Sequence, residues 1–253
     1  VPNHKYTWKR SLPDFRNYPA PRDKLLVPTS VDLTEEAGFP FIAPWNQLSI
    51  GSCTANAVDF CAWDFWAKHF TYLKEGFSRL FIYAKERDYE GTALTDDAGA
   101  YGHDGFRLFR KFGAPLESSW PYIDKGGDWT EEPPTSLLAE AARYKIPFYR
   151  HPRQTKKAIQ SALARSYPVA FGFTVYESFE SSTVASTGYV PLPQPTENIL
   201  GGHEVVIVGY DSHYVKCRNS WGTDWGDGGY FYMPWAYVLN PQLCDDFRYF
   251  CEE

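Results

Sequence analysis

The chain has one methionine, no Asn-x-Ser/Thr acceptor, no block of basic residues, and no apolar run near the ~18 residues a membrane-spanning helix needs. The short apolar runs exclude a transmembrane helix, so no membrane partner is expected. The scattered basic residues, 25 Lys and Arg against 31 Asp and Glu for a net charge of −6, argue against a general nucleic-acid binder. A glycosylated history has no support. Phosphate-loop and Rossmann fingerprints are absent, and so is the G-x-S-x-G elbow of serine hydrolases. His203-Glu204 opens an H-E-x-x-H pattern, but Ile207 stands where the second His is required and the segment reads as a strand. No internal repeat or low-complexity tract occurs.

What is present is a 253-residue chain, 43% hydrophobic and 18% aromatic, long enough to bury a core without disulfides. A chain that opens on Val1 is expected to be a fragment or a processed form. Its five cysteines, Cys53, Cys61, Cys217, Cys244 and Cys251, leave at least one thiol unpaired in a monomer, the state expected here. Cys244 and Cys251 can pair with each other or both stay free. Residues 1–31 are rich in proline and carry Tyr6, Trp8, Leu12 and Phe15; they read as an extended arm that docks on something apolar.

Helices are expected over 53–70, 78–89, 102–112, 135–144 and 154–166, the first largely buried with Ser52 as its N-cap. Strands are expected over 168–175, 204–210, 213–219 and 229–233. A helical first half followed by a β-rich second half gives an α+β chain of two lobes with a cleft between them.

Three spaced features carry chemistry. Gln47 precedes Cys53, which opens the buried helix. Gly201-Gly202-His203 opens a strand. Asn219-Ser220-Trp221-Gly222 ends another. A thiol at a helix N-terminus has its pKa lowered, and a nearby imidazole turns it into an activated nucleophile with its own base. A carboxamide oxygen can orient that imidazole, as a carboxylate does in serine triads. The Cys53 N–H and the Gln47 amide can supply two donors to an oxyanion. No step of this chemistry requires a metal or a cofactor.

Taken one at a time, Cys53 reads as a small buried hydrophobe, His203 as a strand residue, Asn219 as a turn former and Gln47 as a loop capper. Their combination resembles the papain family of cysteine proteases, in its compact bacterial branch. The resemblance rests on VPTSVDL at 27–33, QLSIGSC at 47–53, WPY at 120–122, GGHEVVIVGY at 201–210 and RNSWGTDWGDGGYFYM at 218–233. It implies a papain-like fold with a helical lobe over about 45–145. A barrel-like β lobe over about 146–253, with a 27–44 strap, would complete a peptidase domain at 27–253. Residues 1–26 remain as an N-terminal arm that covers the cleft or docks on the surface.

By that resemblance Cys53 is the nucleophile, His203 the general base and acid, Asn219 its orienter and Gln47 part of the oxyanion hole. Trp221 shields the Asn–His contact, and Trp225 supports its loop on the leaving-group side. Gly99 and Ala100 offer backbone to an extended substrate. Gly172, Glu204 and Tyr249 wall the pocket for the second residue before the cut, where Glu204 favours a polar or basic side chain. Ile50 and Thr54 depart from the family's Cys and Trp, which removes half of a family disulfide. The expected partner is a peptide or protein substrate, cut as by an endopeptidase. An exopeptidase and a non-catalytic binding protein on the same fold are the alternatives. The family norm favours a secreted or periplasmic setting, and the few cysteines are compatible with a cytoplasmic one.

Overall fold

The computed structural model describes residues 4–11, 18–21, 26–36, 42–70, 73–123 and 128–252. Leu12 and Phe15 of the arm lie outside the described residues. The helices α1 (Cys53–His69), α2 (Arg79–Tyr89) and α3 (Gly102–Phe112) form one lobe. Helix α1 is buried on all sides from Cys53 to Phe65, so its polar residues need partners. Asp59 accepts from the Trp45 indole and the Phe77 amide, and Asn56 accepts from Arg79. Asp64 pairs with Arg218 of the other lobe.

The second lobe is built on an all-antiparallel sheet. Its strands are β1 (Val31–Asp32), β2 (Phe148–Arg150), β3 (Val169–Tyr176), β4 (Ile199–Tyr210), β5 (Tyr214–Arg218), β6 (Tyr230–Pro234) and β7 (Cys244–Cys251). The order is β2-β7-β3-β4-β5-β6, with β1 beside the end of β4. Among the described residues the short helices are α4 (Leu137–Ala141), α5 (Lys156–Leu163), α6 (Ser182–Thr187) and α7 (Trp235–Val238).

Strand β4 explains how the lobes join. Val205 and Ile207 belong to the core of the sheet lobe, while the alternate residues Val206 and Val208 belong to the core of the helical lobe. A strand buried on both faces reads as a continuous apolar run, and VVIV is one. His203 therefore sits at the mouth of a strand that both lobes grip.

The barrel-like β lobe is corrected by this topology. The sheet stays open: β2 and β6 are its two ends and do not pair with each other. Closure needs strand ends free to meet, and here each end is occupied. Tyr189 bridges to Tyr232 beside β6, and Pro19 bridges to His151 at the end of β2. Register shifts in β3 and β4 bend the sheet without closing it.

All five cysteines are buried free thiols. Cys244 and Cys251 cannot pair because they lie at opposite ends of one strand, about 20 Å apart at ~3.3 Å per residue. Strands β2 and β7 and helices α6 and α7 are elements beyond the sequence reading.

Candidate active site

The turn before α1 is tied from several sides. Gln47 N–H donates to the Ser220 carbonyl at 2.8 Å, and Ser220 Oγ donates to Gln47 Oε1 at 2.6 Å. Gln47 Nε2 donates to the Ile50 carbonyl at 2.9 Å, which orients the amide beside the helix start. One amide hydrogen remains for an oxyanion. Ser52 is the N-cap residue, but its side chain makes no capping bond. Its Oγ is hydrogen-bonded to Tyr122 Oη instead, and Tyr122 Oη donates to the Gln47 carbonyl at 2.8 Å. Tyr122 ends the Trp-Pro-Tyr motif, and its tethering role went unassigned in the sequence reading although the motif marked it.

His203 Nε2–H donates to Asn219 Oδ1 at 2.8 Å. The same Oδ1 accepts the Ser220 N–H at 2.8 Å, which identifies it as the oxygen and fixes the imidazole tautomer. Nδ1 is left as the basic nitrogen, buried and without a hydrogen-bond partner among the described residues. Trp221 stacks against His203 with ring centroids 5.1 Å apart, and Phe173 meets the imidazole edge-on at 5.9 Å. These rings exclude water from the Asn–His bond and strengthen it.

Cys53 is fully buried, and burial pushes its thiol up to about 12, aided by the Glu204 and Glu86 carboxyls. The backbone groups of Glu204 and Thr54 oppose that rise. Glu204 and Glu86 are themselves raised well above the carboxylate range by burial. Burial itself is the largest cause of the Cys53 rise. Burial likewise pushes His203 down to about 4. The helix-start effect expected to favour the thiolate is outweighed in this buried state. Thr54, which replaces the family's Trp, donates its hydroxyl to Glu86 Oε2 at 2.8 Å.

The N-terminal segment runs along the cleft. Trp8 N–H donates to the Gly202 carbonyl at 2.9 Å, and Lys9 N–H donates to the Ala100 carbonyl at 3.1 Å. A Cβ at Gly99, where φ is +68°, would strike the Thr7 backbone. A Cβ at Gly172 would fall inside the Trp8 indole. Gly172 and Glu204 are register partners on β3 and β4, so they face the same side of the sheet. Glu204 is buried, its carboxyl against Gly102 at the start of α3. Trp225 meets Trp221 edge-on at 4.8 Å, and both line a cavity of about 520 Å³ with His4, Asn46 and Leu48.

Tyr249 is not brought to this cleft. It stacks on Tyr167 at 5.5 Å and lines a separate pocket with Ala20, Arg153 and Ser161. Asp245 and Asp246, on the same strand, meet the arm, Asp245 pairing with Arg10 and Asp246 accepting the Ser11 N–H at 3.0 Å. Asp97, Glu90 and Glu180 also contact the arm and were not among the residues read from sequence.

A thiol at a helix start, an imidazole of fixed tautomer and its carboxamide orienter, set between two lobes, define a cysteine hydrolase. The family model described as papain family cysteine protease matches residues 27–238, and the chain belongs to that family. It is similar to the crystal structure of xylellain, a cysteine protease from Xylella fastidiosa. The TM-score is 0.89 and the identity 33%, over 96% of this chain and 94% of that one. It is 37% identical over 215 residues to an uncharacterized peptidase C1-like protein of Acanthamoeba polyphaga mimivirus, covering 80% of this chain and 67% of that protein. It is 30% identical over 142 residues to cathepsin K of Gallus gallus, covering 52% of this chain and 39% of that protein.

The protein is thus a thiol-dependent cysteine peptidase. Hydrolysis of this kind runs through a thiol that bonds to the substrate carbonyl carbon, an imidazole that takes the thiol proton and returns it to the departing amine, and a water that hydrolyses the thioester and restores the thiol. Cys53 offers such a thiol, and His203 Nδ1 such a basic nitrogen.

Proposed function

We propose that the chain is an endopeptidase whose N-terminal segment, seated as it is here, holds the cleft closed. One observation carries this reading: residues 4–9 make a run of contacts beside His203 and the Cys53 helix start. His4 stacks on Trp221 on one side of His203, Tyr6 meets the His203 ring edge-on, and Trp8 and Lys9 bond to the Gly202 and Ala100 rims beyond it. A groove that admits an extended chain on both sides of the nucleophile suits internal peptide bonds. An exopeptidase needs one end shut.

The seat of Trp8 over Gly172 is read as the pocket for the second residue before the cut, with Glu204 in its wall. A polar or basic side chain is the expected occupant. A peptide library profiled with the native chain and with Glu204→Ala tests this; a strict Leu or Val preference unchanged in the variant counts against it.

The arm is tested by Trp8→Asp in the full chain, which removes the indole that packs on Gly172 and Gly202. Cleavage of internally quenched peptides under reducing conditions is expected to rise at least about tenfold in kcat/KM, since ~1.4 kcal/mol of lost closure shifts the population that much. Equal kcat/KM for variant and native chain would count against a closing role. Loss of all cleavage in Cys53→Ala checks that the thiol does the work.

A further inference from the structure

The arm is an extended segment, so alternate side chains face opposite walls. His4, Tyr6 and Trp8 turn to the sheet lobe, against Trp221, Glu180, His203 and Gly172. Lys5, Thr7 and Lys9 turn to the helical lobe. Thr7 Oγ1 donates to the Gly51 carbonyl at 2.6 Å, directly before the Ser52-Cys53 helix start. On either side of Thr7 a lysine ammonium meets a nearly buried carboxylate. Lys5 Nζ is paired with Asp97, whose side chain is 9% exposed. Lys9 Nζ lies 3.2 Å from Glu90 Oε2, whose side chain is 5% exposed, and 3.5 Å from the Gly99 carbonyl. The Tyr101 ring completes that second seat, with the Lys9 ammonium 5.5 Å from its centroid.

Both carboxylates are also held by groups of the helical lobe itself. Asp97 accepts the Gly51 N–H on both oxygens, at 2.9 and 3.0 Å, and the Tyr83 hydroxyl at 2.7 Å. Glu90 Oε1 accepts the Tyr101 N–H at 2.7 Å. Arg87, which stacks on Tyr83, spends its guanidinium on the carbonyls of Asp96 and Trp129. Among the described residues, Lys5 and Lys9 are the cations in ion-pair contact with these two groups. Fixed, nearly buried carboxylates bind an ammonium or guanidinium with geometric selectivity even where the lysine stems stay partly exposed.

We propose that Asp97 and Glu90 form two cation sockets on the helical-lobe wall, which select peptide substrates with Lys or Arg beside the cut. The arm's Lys5 and Lys9 fill the sockets in the closed state, and a basic peptide fills them once the arm leaves. The sockets bind side chains, so they serve a peptide running along the cleft in either sense. This inference rests on reading the cleft as an endopeptidase site closed by the arm.

The test uses the full chain with Lys5→Glu and Lys9→Glu, which turns both pairs into repulsions and frees the cleft. Peptides carrying Lys, or norleucine of similar length, at successive positions around the cut are compared. Lys at the socket positions is expected to raise kcat/KM about tenfold over norleucine, through KM. Adding Asp97→Asn and Glu90→Gln removes both charges, leaves one oxygen for the Gly51 and Tyr83 donors and one for the Tyr101 N–H, and is expected to bring that ratio to about one. A Lys-to-norleucine ratio near one before the carboxylates are changed would overturn the sockets, and so would a ratio that survives their removal. If no peptide is cut, the endopeptidase reading fails separately. The sockets are then judged by fluorescence anisotropy of labelled Lys and norleucine peptides on the same variants, with equal binding overturning them.

Discussion

The imidazole of His4 lies flat on the indole of Trp221, with ring centroids 3.7 Å apart and planes 7° apart, while its Nδ1 meets Glu180 Oε1 at 2.9 Å. The same indole covers His203. An arm residue and the catalytic base thus share one ring, so closure of the arm and the charge of His203 are linked. Burial holds the His203 pKa at about 4 in this state, and a charged His4 pushes the same way. The closed state then takes up a proton less readily than the unfolded chain, whose imidazole titrates near 6.5, and than any state in which departure of the arm lets water reach the ring. Its stability advantage is present above pH ~6.5 and is lost as the pH falls toward 4, by up to about 3 kcal/mol. We expect hydrogen exchange at the Trp8 and Lys9 amides, corrected for its intrinsic pH dependence, to lose protection across that window. Unchanged protection between pH 7 and 4.5 would break the link.

Asn219 acts on the reaction through His203. Its Oδ1 takes both the Nε2–H and the Ser220 N–H, so Asn219→Ala removes the group that holds the tautomer and leaves the Ser220 amide unpaired. We expect kcat to fall about ten- to a hundredfold with KM little changed, as for an interaction that matters most in the transition state. A pre-steady-state burst should also slow, because acylation needs Nδ1 facing the thiol.

Much of this site is legible in the sequence because its parts are tied to strong local signals. Helix α1 has neither Gly nor Pro and a dense apolar content, and its start at Cys53 is marked by Gly51-Ser52. His203 and Asn219 sit at the ends of strands whose Val-rich and alternating runs stand out. Strand β7 is harder to read: Asp245, Asp246 and Arg248 break its apolar pattern. Asp246 takes a positive φ of 62° and pairs with the buried Arg248. The same irregular run misplaces Tyr249, since the strand turns that ring toward Tyr167 rather than the cleft. An open sheet and a barrel share the same strand pattern; what separates them is which segments cover the edges, and those are single bridges from loops.

The pair Asp64–Arg218 crosses from α1 to β5 with both side chains fully buried. Arg218 also lies over the Phe60 ring at 4.4 Å, and its chain neighbour is Asn219. Desolvation raises Asp64 to about 6, with Arg218 opposing the rise. Removing one partner strands the other charge, so Asp64→Ala should cost about 3–5 kcal/mol in urea unfolding. Asp64→Leu with Arg218→Met removes both charges and should recover a large part of that loss. Similar costs for the single and double variants would show that packing, not the pair, is the source.

Glu86 stands behind the nucleophile helix, with Oε2 accepting from Thr54 and Oε1 buried without a hydrogen-bond partner among the described residues. Burial raises it well above the carboxylate range, so the folded protein holds its proton where the unfolded chain has released it. Stability from this residue is fully present below pH ~4.5 and declines as the pH rises above it. Glu86→Gln keeps an acceptor for Thr54 and carries no titrating proton. We expect the variant to melt at about the same temperature as the native chain at pH 4.5 and about 2–4 °C higher at pH 7.5, as for ~1 kcal/mol in a domain of this size. Thr54→Val removes the hydroxyl that bonds Oε2 and should lower the melting temperature in the native background. An Oε2 partner other than Thr54 would leave that second variant unchanged.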